Sequence, residues 1–242
     1  MINIPLDFCD TLYFELADEL ILEETQKIEN NLILKTAKYI KETYKIDKGA
    51  RIKLEKNIPI GSGLGGGSAN VAATIRGLDL LWELKLTKEE KETIALKFGS
   101  DTLFCLYNKP AYVYGRGENI QFLENLFDEN IFLITSLIEV STKKVFEAYK
   151  KLEDNSIFPN ILEIYRNKEK EVFINKLKND LTETTLNLYP QLKKEIKKLK
   201  YKAHMTGSGS TFFLIVSDEN EEKIIKRMLK KRLNYMKIKP KS

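Results

Sequence analysis

The stretch NIPIGSGLGGGSANVAATIRGL, residues 57–78, holds six of the chain's 12 glycines and then changes into alanines and branched apolar residues. Ordering glycine costs more backbone entropy than ordering any other residue, so a ligand or close packing must offset the cost of this loop. Upstream, RIKLEKNI (51–58) alternates charged and apolar side chains, which predicts a half-buried strand that ends at Pro59. Downstream, apolar residues recur every three to four positions and predict a helix from about residue 68 to residue 84.

The glycine spacing fits three kinds of loop to different degrees. Gly61, Gly63 and Gly66 satisfy the dinucleotide-binding pattern G-x-G-x-x-G. However, the preceding strand is polar on one face, and no acidic strand end follows about 20 residues on. A Walker A loop fails because Gly67 stands where its lysine must be. A different phosphate cradle, with loop N–H groups and a helix N-terminus around an anion, fits best, and a tight packing corner is the alternative without a ligand.

The rest of the chain excludes several functional classes. A single histidine, His204, argues against catalysis by a histidine pair or a Ser-His-Asp triad. Cys9 and Cys105 lie far apart, which indicates reduced thiols in a cytoplasmic protein rather than a disulfide or metal framework. No apolar run approaches the roughly 18 residues of a membrane span. No aromatic stacking platform accompanies the lysine-rich runs at 193–202 and 226–242, so we expect solvated helix faces, a frayed tail and no nucleic-acid partner.

The order of predicted elements indicates two α+β domains that meet near residue 134. In the first half we expect strands at 10–16, 51–58 and 111–115 and helices at 30–44, 68–84 and 87–98. The last of these begins with the capping box TKEE and ends at Gly99, where a left-handed stop is expected. In the second half we expect a strand at 131–137, a helix at 141–152, two or three lysine-rich helices to about 199, a turn and strand at 204–217, and a closing helix at 219–232.

Residues 56–73, KNIPIGSGLGGGSANVAA, resemble the P-x-x-x-G-L-G-S/G-S/G-S motif of the GHMP small-molecule kinases. The triple glycine followed by Asn70 is most similar to the branch that acts on a cytidine diphosphate-linked methylerythritol. Four more segments resemble family segments in the family's order: ENNLILKTAKYI (29–40), FGSDTLFCL (98–106), EVSTKKVFEAY (139–149) and MTGSGSTFF (205–213). The resemblance therefore covers nearly the whole chain.

The resemblance implies a fold and a reaction. The fold would be α+β with two domains, a ribosomal protein S5 domain 2-like N-terminal domain at 1–134 and a ferredoxin-like C-terminal domain at 135–242. The reaction would transfer the γ-phosphoryl group of ATP, with Mg²⁺, to the 2-hydroxyl of the cytidine-bearing alcohol, in isoprenoid precursor synthesis. It further implies a cytoplasmic monomer or weak homodimer without membrane or nucleic-acid partners. The resemblance leaves the metal ligands unidentified.

The resemblance also assigns roles to individual residues. Asp101 matches the catalytic aspartate, and Thr142 and Phe146 match residues around the cytidine end. The nucleotide-binding positions would be Asn31, Lys56, Pro59, Ile60, Gly61, Ser62, Gly63, Leu64, Gly65, Gly66, Gly67, Ser68, Ala69, Gly207, Ser208 and Gly209.

Ordinary structural roles remain open for several of these residues. Asp101, Ser68 and Thr142 could each be a helix N-cap, and Asn31 could be a helix N-terminal residue. Phe146 has the spacing of a core residue. Residues 206–210 could form a plain turn.

The chain departs from the family pattern at its start. The family opens with a P-A-K-I-N-L strand, whose lysine lies beside the catalytic aspartate, and a G-Y-H turn, whose histidine recognises cytosine. NIPLDFCDTLYFE resembles the segment after both, so we expect the first strand of the domain to be absent and turnover to be low. Leu103, Cys105 and Ala69 replace a proline, an aromatic residue and a serine. A GHMP kinase for another small alcohol and a catalytically impaired nucleotide-binding remnant are the alternatives.

Overall fold

The computed structural model describes residues 1–149, 160–197, 199, 201–216, 222–223, 225–226 and 234–241. These residues form two compact units: unit 1 is Met1–Pro59 with Gly65–Leu123, and unit 2 is Ile60–Leu64 with Glu124–Ser242. The change from one unit to the other falls after Leu123 rather than near residue 134. The reason is that the strand around residues 131–134 is an inner strand of the second unit's sheet.

Unit 1 combines two antiparallel or mixed sheets with helices. Its elements are β1 Ile2–Asn3, β2 Thr11–Ala17, β3 Leu20–Glu24, α1 Leu32–Thr43, β4 Gly49–Glu55, α2 Gly66–Leu81, α3 Lys88–Phe98, α4 Thr102–Tyr107, β5 Ala111–Tyr114 and β6 Asn119–Phe122. One sheet has the order β2-β4-β3, with β2 antiparallel and β3 parallel to β4. The other has the order β1-β5-β6 and is antiparallel.

The core of unit 1 follows the predicted periodicities. Ile52 and Leu54 of β4 are 1% exposed, while the alternate side chains of the same strand are exposed. They pack in one cluster with apolar residues of α1 and α2, including Ile33, Ile40 and Ile75. The alternation along β4 thus places one face of the sheet against both helices, and the strand ends at Glu55, six residues before the first glycine of the loop.

Helix boundaries confirm some expectations and correct others. The capping box of α3 is present, with Thr87 and Glu90 each accepting a backbone N–H of the other. The left-handed stop at Gly99 was wrong, because Gly99 is extended at φ 163° and ψ 156°. Its carbonyl instead accepts the N–H of Thr102, which leads directly into α4. Helix α2 begins two residues before the predicted start and ends at Leu81.

Unit 2 contains an antiparallel sheet of order β10-β7-β9-β8, the 4-1-3-2 order expected for a ferredoxin-like domain. Its elements are β7 Asn130–Thr135, α5 Thr142–Ala148, α6 Ile161–Arg166, α7 Lys170–Lys176, α8 Leu181–Leu188, α9 Pro190–Ile196, β8 His204–Met205, β9 Phe212–Val216 and β10 Asn234–Ile238. Phe132, Val145, Leu192 and Phe212 lie in its buried core.

Two expectations for unit 2 need correction. The lysine-rich segment forms α6 to α9 within the described residues, rather than two or three helices. The basic C-terminal run contains β10, which pairs with β7 along its whole length. The closing helix expected at 219–232 and the end of the helix expected at 141–152 lie largely outside the described residues. No helix in the described part of the chain is long and apolar enough to cross a membrane.

Candidate active site

The start of α2 presents unpaired backbone donors. Gly65 precedes the helix in a left-handed conformation, at φ 70° and ψ 16°, and the first turn has neither an acidic residue nor a side-chain cap. Within the described residues, the N–H groups of Gly66, Gly67 and Ser68 have no acceptor. A Cβ added at Gly65 would meet no atom within 4 Å. Free donors at the positive end of a 16-residue helix, next to open space, fit a phosphate group.

A buried ion pair lies beside this helix start. Lys56 Nζ is 2.6 Å from Asp10 Oδ2, and the two side chains are 12% and 1% exposed. Asp10 Oδ1 also accepts the N–H groups of Asn57 and Ile58, at 2.8 Å each. A Cβ added at Gly66 would lie 3.2 Å from Lys56 Nζ, so the ammonium group is next to the first residue of α2. Asp10 therefore holds both the lysine and the backbone that enters the glycine loop.

The role of Asp10 was not predicted, although the strand register contains the signal. Thr11 of β2 pairs with Glu55 of β4 in an antiparallel ladder. One further step along this ladder places Asp10 opposite Lys56. Opposite charges at this position become visible only once the register of the two strands is known.

Asn31 is the N-cap of α1, which confirms the alternative that it is a helix N-terminal residue. Its Oδ1 accepts the N–H of Ile33 at 3.0 Å, and its Nδ2 donates to Glu24 Oε2 at 2.6 Å. A Cβ added at Gly67 would lie 3.7 Å from a methyl carbon of Leu32, so the start of α1 is close to the first turn of α2. The nucleotide-binding role of Asn31 stays a prediction.

Asp101 lies at the start of α4, in the same unit. Asp101 is the N-cap residue of α4, as its structural alternative predicted, but its side chain makes no capping hydrogen bond. In the described part of the chain its carboxylate has no ion-pair or hydrogen-bond partner, and burial raises its pKa. A Cβ added at Gly99, two residues earlier, would be 3.7 Å from Ser68 Oγ, so this segment approaches the first turn of α2. The buried hydroxyl of Thr102 is likewise without a partner among the described residues.

Residues 61–63 of the glycine loop are hydrogen-bonded to residues 206–211, which we call the second glycine segment, within unit 2. The carbonyl of Gly61 accepts the N–H of Ser210, and the carbonyl of Ser62 accepts the N–H of Thr211, at 3.3 and 3.1 Å. The hydroxyl of Thr206 donates to the carbonyl of Gly63 at 3.2 Å. Residues 61–63 and 206–211 therefore form one hydrogen-bonded arrangement, in which residues 206–211 make a turn closed by Thr206 and Thr211. The nucleotide-binding role of Gly207, Ser208 and Gly209 stays a prediction.

Thr142 and Phe146 lie on α5 in unit 2. The N-cap of α5 is Ser141, so Thr142 does not have the capping role that was its alternative. Instead, Thr142 Oγ1 is 2.8 Å from Ser208 Oγ of the second glycine segment. Phe146 is 59% exposed, so its alternative role in the core was wrong. Its exposed ring leaves a face available for stacking.

The structure divides the remaining candidates between the two units. Pro59 follows β4 in unit 1, whereas Ile60 and Leu64 belong to unit 2. Ser68 and Ala69 lie inside the first turns of α2, so the N-cap alternative for Ser68 was wrong. Among the described residues, no group of three or more His, Cys, Asp or Glu side chains could hold a metal ion.

Family models match segments in both halves of this chain. The family model described as GHMP kinases N terminal domain matches residues 31–109, and that described as GHMP kinases C terminal matches 167–234. A 4-diphosphocytidyl-2-C-methyl-D-erythritol kinase from Caldanaerobacter subterraneus is 38% identical over 88% of this chain and 77% of its own length. One from Listeria innocua is 34% identical over 92% of this chain and 80% of its own.

Solved structures share the fold. The crystal structure of a 4-(cytidine 5′-diphospho)-2C-methyl-D-erythritol kinase matches with a TM-score of 0.77 and 24% identity, over 99% of this chain and 90% of that one. A homoserine kinase from Cytophaga hutchinsonii matches with a TM-score of 0.69 and 18% identity, over 98% and 88%. These matches confirm the predicted α+β fold with two domains. The chain belongs to the GHMP kinase family and is an ATP-dependent small-molecule kinase.

Proposed function

We propose that this kinase transfers the γ-phosphoryl group of ATP to the 2-hydroxyl of 4-diphosphocytidyl-2-C-methyl-D-erythritol in the cytoplasm. The observation that carries the proposal is the start of α2, where unpaired N–H groups lie next to the open space at Gly65 and the ammonium of Lys56 lies next to Gly66. This arrangement supports binding of a polyphosphate. The choice of acceptor rests on relatives of 34–38% identity, all of which carry the name of this one kinase.

In the proposed reaction Asp101 receives the proton of the acceptor hydroxyl. The acceptor oxygen forms a bond to the γ-phosphorus, the bond from that phosphorus to the bridging oxygen breaks, and ADP leaves. A carboxylate without an ion-pair or hydrogen-bond partner can accept the proton at either oxygen. Since the described residues place no cation at Asp101, we expect slow turnover.

The remaining residues would position the two substrates and neutralise the negative charge of the phosphates. Lys56 and the N–H groups of residues 66–68 would bind phosphate oxygens, because their positive charge and the helix dipole stabilise an anion. Mg²⁺ would accompany ATP and offset charge on the transferred group, bound mainly by phosphate and water oxygens. Phe146 and Thr142 would contact the cytidine end of the acceptor.

The proposal is tested by steady-state turnover with a panel of acceptors. ADP release by the wild-type chain should require the cytidine-bearing alcohol and should not occur with homoserine, mevalonate or galactose. Mass spectrometry of the product should show one added phosphoryl group. Equal turnover with another alcohol would move the assignment to that acceptor. ATP binding without turnover of any acceptor would indicate a nucleotide-binding remnant.

A further inference from the structure

One side chain ahead of α8 holds the second glycine segment at two points. Asn179 Nδ2 donates to the carbonyl of Met205 at 2.9 Å and to the carbonyl of Gly207 at 2.8 Å. Its Oδ1 accepts the N–H of Leu181, at 3.0 Å, in the first turn of α8. The amide therefore uses both of its hydrogen-bonding ends, one on the helix and one on the glycine segment.

A side chain within α8 adds a third contact with this segment. Thr185 is fully buried, and its Oγ1 donates to the carbonyl of Ser208 at 3.1 Å. Of the four consecutive residues 205–208, three thus have carbonyls that are bonded to Asn179 or to Thr185 of α8. These bonds fix the direction of the successive peptide planes in the turn.

Fixing the carbonyls also fixes the N–H groups. In a trans peptide the C=O and the following N–H point in opposite directions. Because the Gly207 carbonyl is bonded to Asn179, the N–H of Ser208 is directed away from Asn179. That N–H has no acceptor in the part of the chain that the structure describes. An unpaired, fixed donor in a glycine turn is suited to an anionic oxygen.

We propose that Asn179 is a positioning residue for nucleotide binding, which orients the Gly207–Ser208 peptide so that its N–H binds a phosphate oxygen of ATP. Thr185 supports it by fixing the next peptide. The proposal rests on the proposed function, because it assigns phosphate binding to residues 206–210.

The test replaces Asn179 with aspartate and uses Asn160 as a matched control. Asn179→Asp keeps the oxygen that accepts the Leu181 N–H but loses the two donors, so a carboxylate faces two carbonyls. Asn160 is the N-cap of α6 in the same unit and accepts the N–H of Glu163, at 3.2 Å. Asn160→Asp keeps this cap equally well, since aspartate and asparagine cap similarly. The two variants therefore differ in the contact with the glycine segment.

We expect Asn179→Asp to raise the KM for ATP about tenfold or more, because two hydrogen bonds are lost and an unfavourable contact is gained. The KM for the acceptor should stay close to that of Asn160→Asp. The Tm should fall below that of the control, because the same two hydrogen bonds also stabilise the fold, so the deciding measurement is the KM for ATP against the KM for the acceptor. A purely structural role would lower the Tm but leave the KM for ATP unchanged, and that result would overturn the proposal.

A second pair of variants keeps the proposal testable if Asn179→Asp does not fold. Thr185→Val removes the hydroxyl at nearly constant volume, and Thr185→Ser retains it. The valine substitution should weaken ATP binding, and the serine substitution should not. Calorimetric titration with a non-hydrolysable ATP analogue separates this proposal from the proposed function, because it measures nucleotide binding without an acceptor. Unchanged analogue affinity in Asn179→Asp, or in Thr185→Val where Asn179→Asp does not fold, would overturn the proposal.

Discussion

Gly63 and Gly65 lie two residues apart in the same loop, yet they are glycines for different reasons. Both have left-handed backbones, with φ of 73° and 70°. A Cβ added at Gly63 would lie 2.4 Å from the carbonyl oxygen of Thr206 and 2.7 Å from that of Gly209, whereas one added at Gly65 would meet nothing within 4 Å. Gly63 permits two backbones to touch, and Gly65 leaves a space open.

The contrast extends to the regions around these glycines. In unit 2, residues 61–63 and 206–211 are joined by hydrogen bonds, which we call the closed region. In unit 1, residues 65–68, with Lys56 and Asp101 nearby, leave backbone donors unpaired, which we call the open region. The comparison teaches that glycine density alone does not identify a phosphate site. Unpaired backbone donors next to a glycine do, as at the start of α2 and at the Ser208 N–H, which is unpaired among the described residues.

The largest expected effect concerns the carboxylate of the open region. Asp101→Asn should lower kcat by roughly 10²–10⁴ while ATP affinity is unchanged, because a general base contributes about this much. Burial raises the pKa of Asp101, so kcat/KM in the wild type should rise with pH as this carboxyl group ionises. Turnover rates measure kcat and the pH dependence of kcat/KM, and a calorimetric titration measures the ATP affinity. A kcat within about threefold of wild type would remove Asp101 from the chemistry.

The raised pKa also predicts the sign of a stability change. The folded protein binds the Asp101 proton more tightly than the unfolded chain does, so the stability contribution of this group falls as pH rises through the range between the two pKa values. At neutral pH, Asp101→Asn should therefore unfold at a higher urea concentration than the wild type. The difference should disappear in acid, below the unfolded pKa. An unchanged or lower midpoint at neutral pH would contradict the burial of an ionised carboxylate.

The second effect tests the ion pair of the open region. Asp10→Asn should destabilise unit 1 by about 3–5 kcal/mol, because it leaves the ammonium of Lys56 buried without a counter-charge. The matched control is Glu23→Gln, which breaks a pair with Arg51 whose side chains are 47% and 51% exposed and which should cost at most about 1 kcal/mol. The chain's one tryptophan, Trp82, follows α2 and reports the unfolding of unit 1 by fluorescence. Equal costs for both variants would mean that the Asp10–Lys56 pair is no more than a surface pair.

The third effect tests the closed region. Gly63→Ala should destabilise unit 2 by about 2–4 kcal/mol, since a Cβ forces two backbones apart and the left-handed conformation disfavours alanine. Gly67→Ala is the control in α2, where a Cβ would make ordinary contact with Leu32 at 3.7 Å and should stabilise by up to about 1 kcal/mol. Circular dichroism in urea measures both variants. Equal stability of the two would show that Gly63 is not required for the close approach.

The smallest expected effect on stability is that of Phe146→Ala, because the side chain is 59% exposed. The free energy of unfolding should change by less than about 0.5 kcal/mol. The KM for the cytidine-bearing acceptor should rise about tenfold, because stacking on a base contributes about 1–3 kcal/mol. The KM for ATP should not change. Val172→Ala, on the exposed side of α7, is the control, and equal KM values for the two variants would contradict the role of Phe146.

The sequence predicted elements with strong local patterns. The structure confirms the alternation of β4, the capping box of Thr87 and Glu90 and the helix α2 that follows the glycine loop. By contrast, β3 was not predicted, because it pairs in parallel with β4 across α1, and a five-residue strand carries little periodicity. β10 was hidden in a basic run that resembled a solvated tail.

The functional side chains that the sequence missed all depend on distant contacts. The role of Asp10 depends on its ion pair with Lys56, which directly follows β4 and lies 46 residues later in the chain. The proposed role of Asn179 depends on hydrogen bonds to carbonyls that lie 26 and 28 residues further along the chain. Local rules also gave the wrong conformation at Gly99, where the approach to Ser68 and the turn into α4 keep the backbone extended.

The most direct test of the central claim is calorimetric titration of Mg-ATP into Gly65→Asn. Asparagine tolerates the left-handed conformation, so its side chain should enter the open space of Gly65 with little loss of stability. If phosphates bind the N–H groups at the start of α2, this variant should show no measurable ATP binding while its Tm stays close to that of the wild type. Wild-type affinity for Mg-ATP in Gly65→Asn would contradict the claim that the open region is the phosphate site.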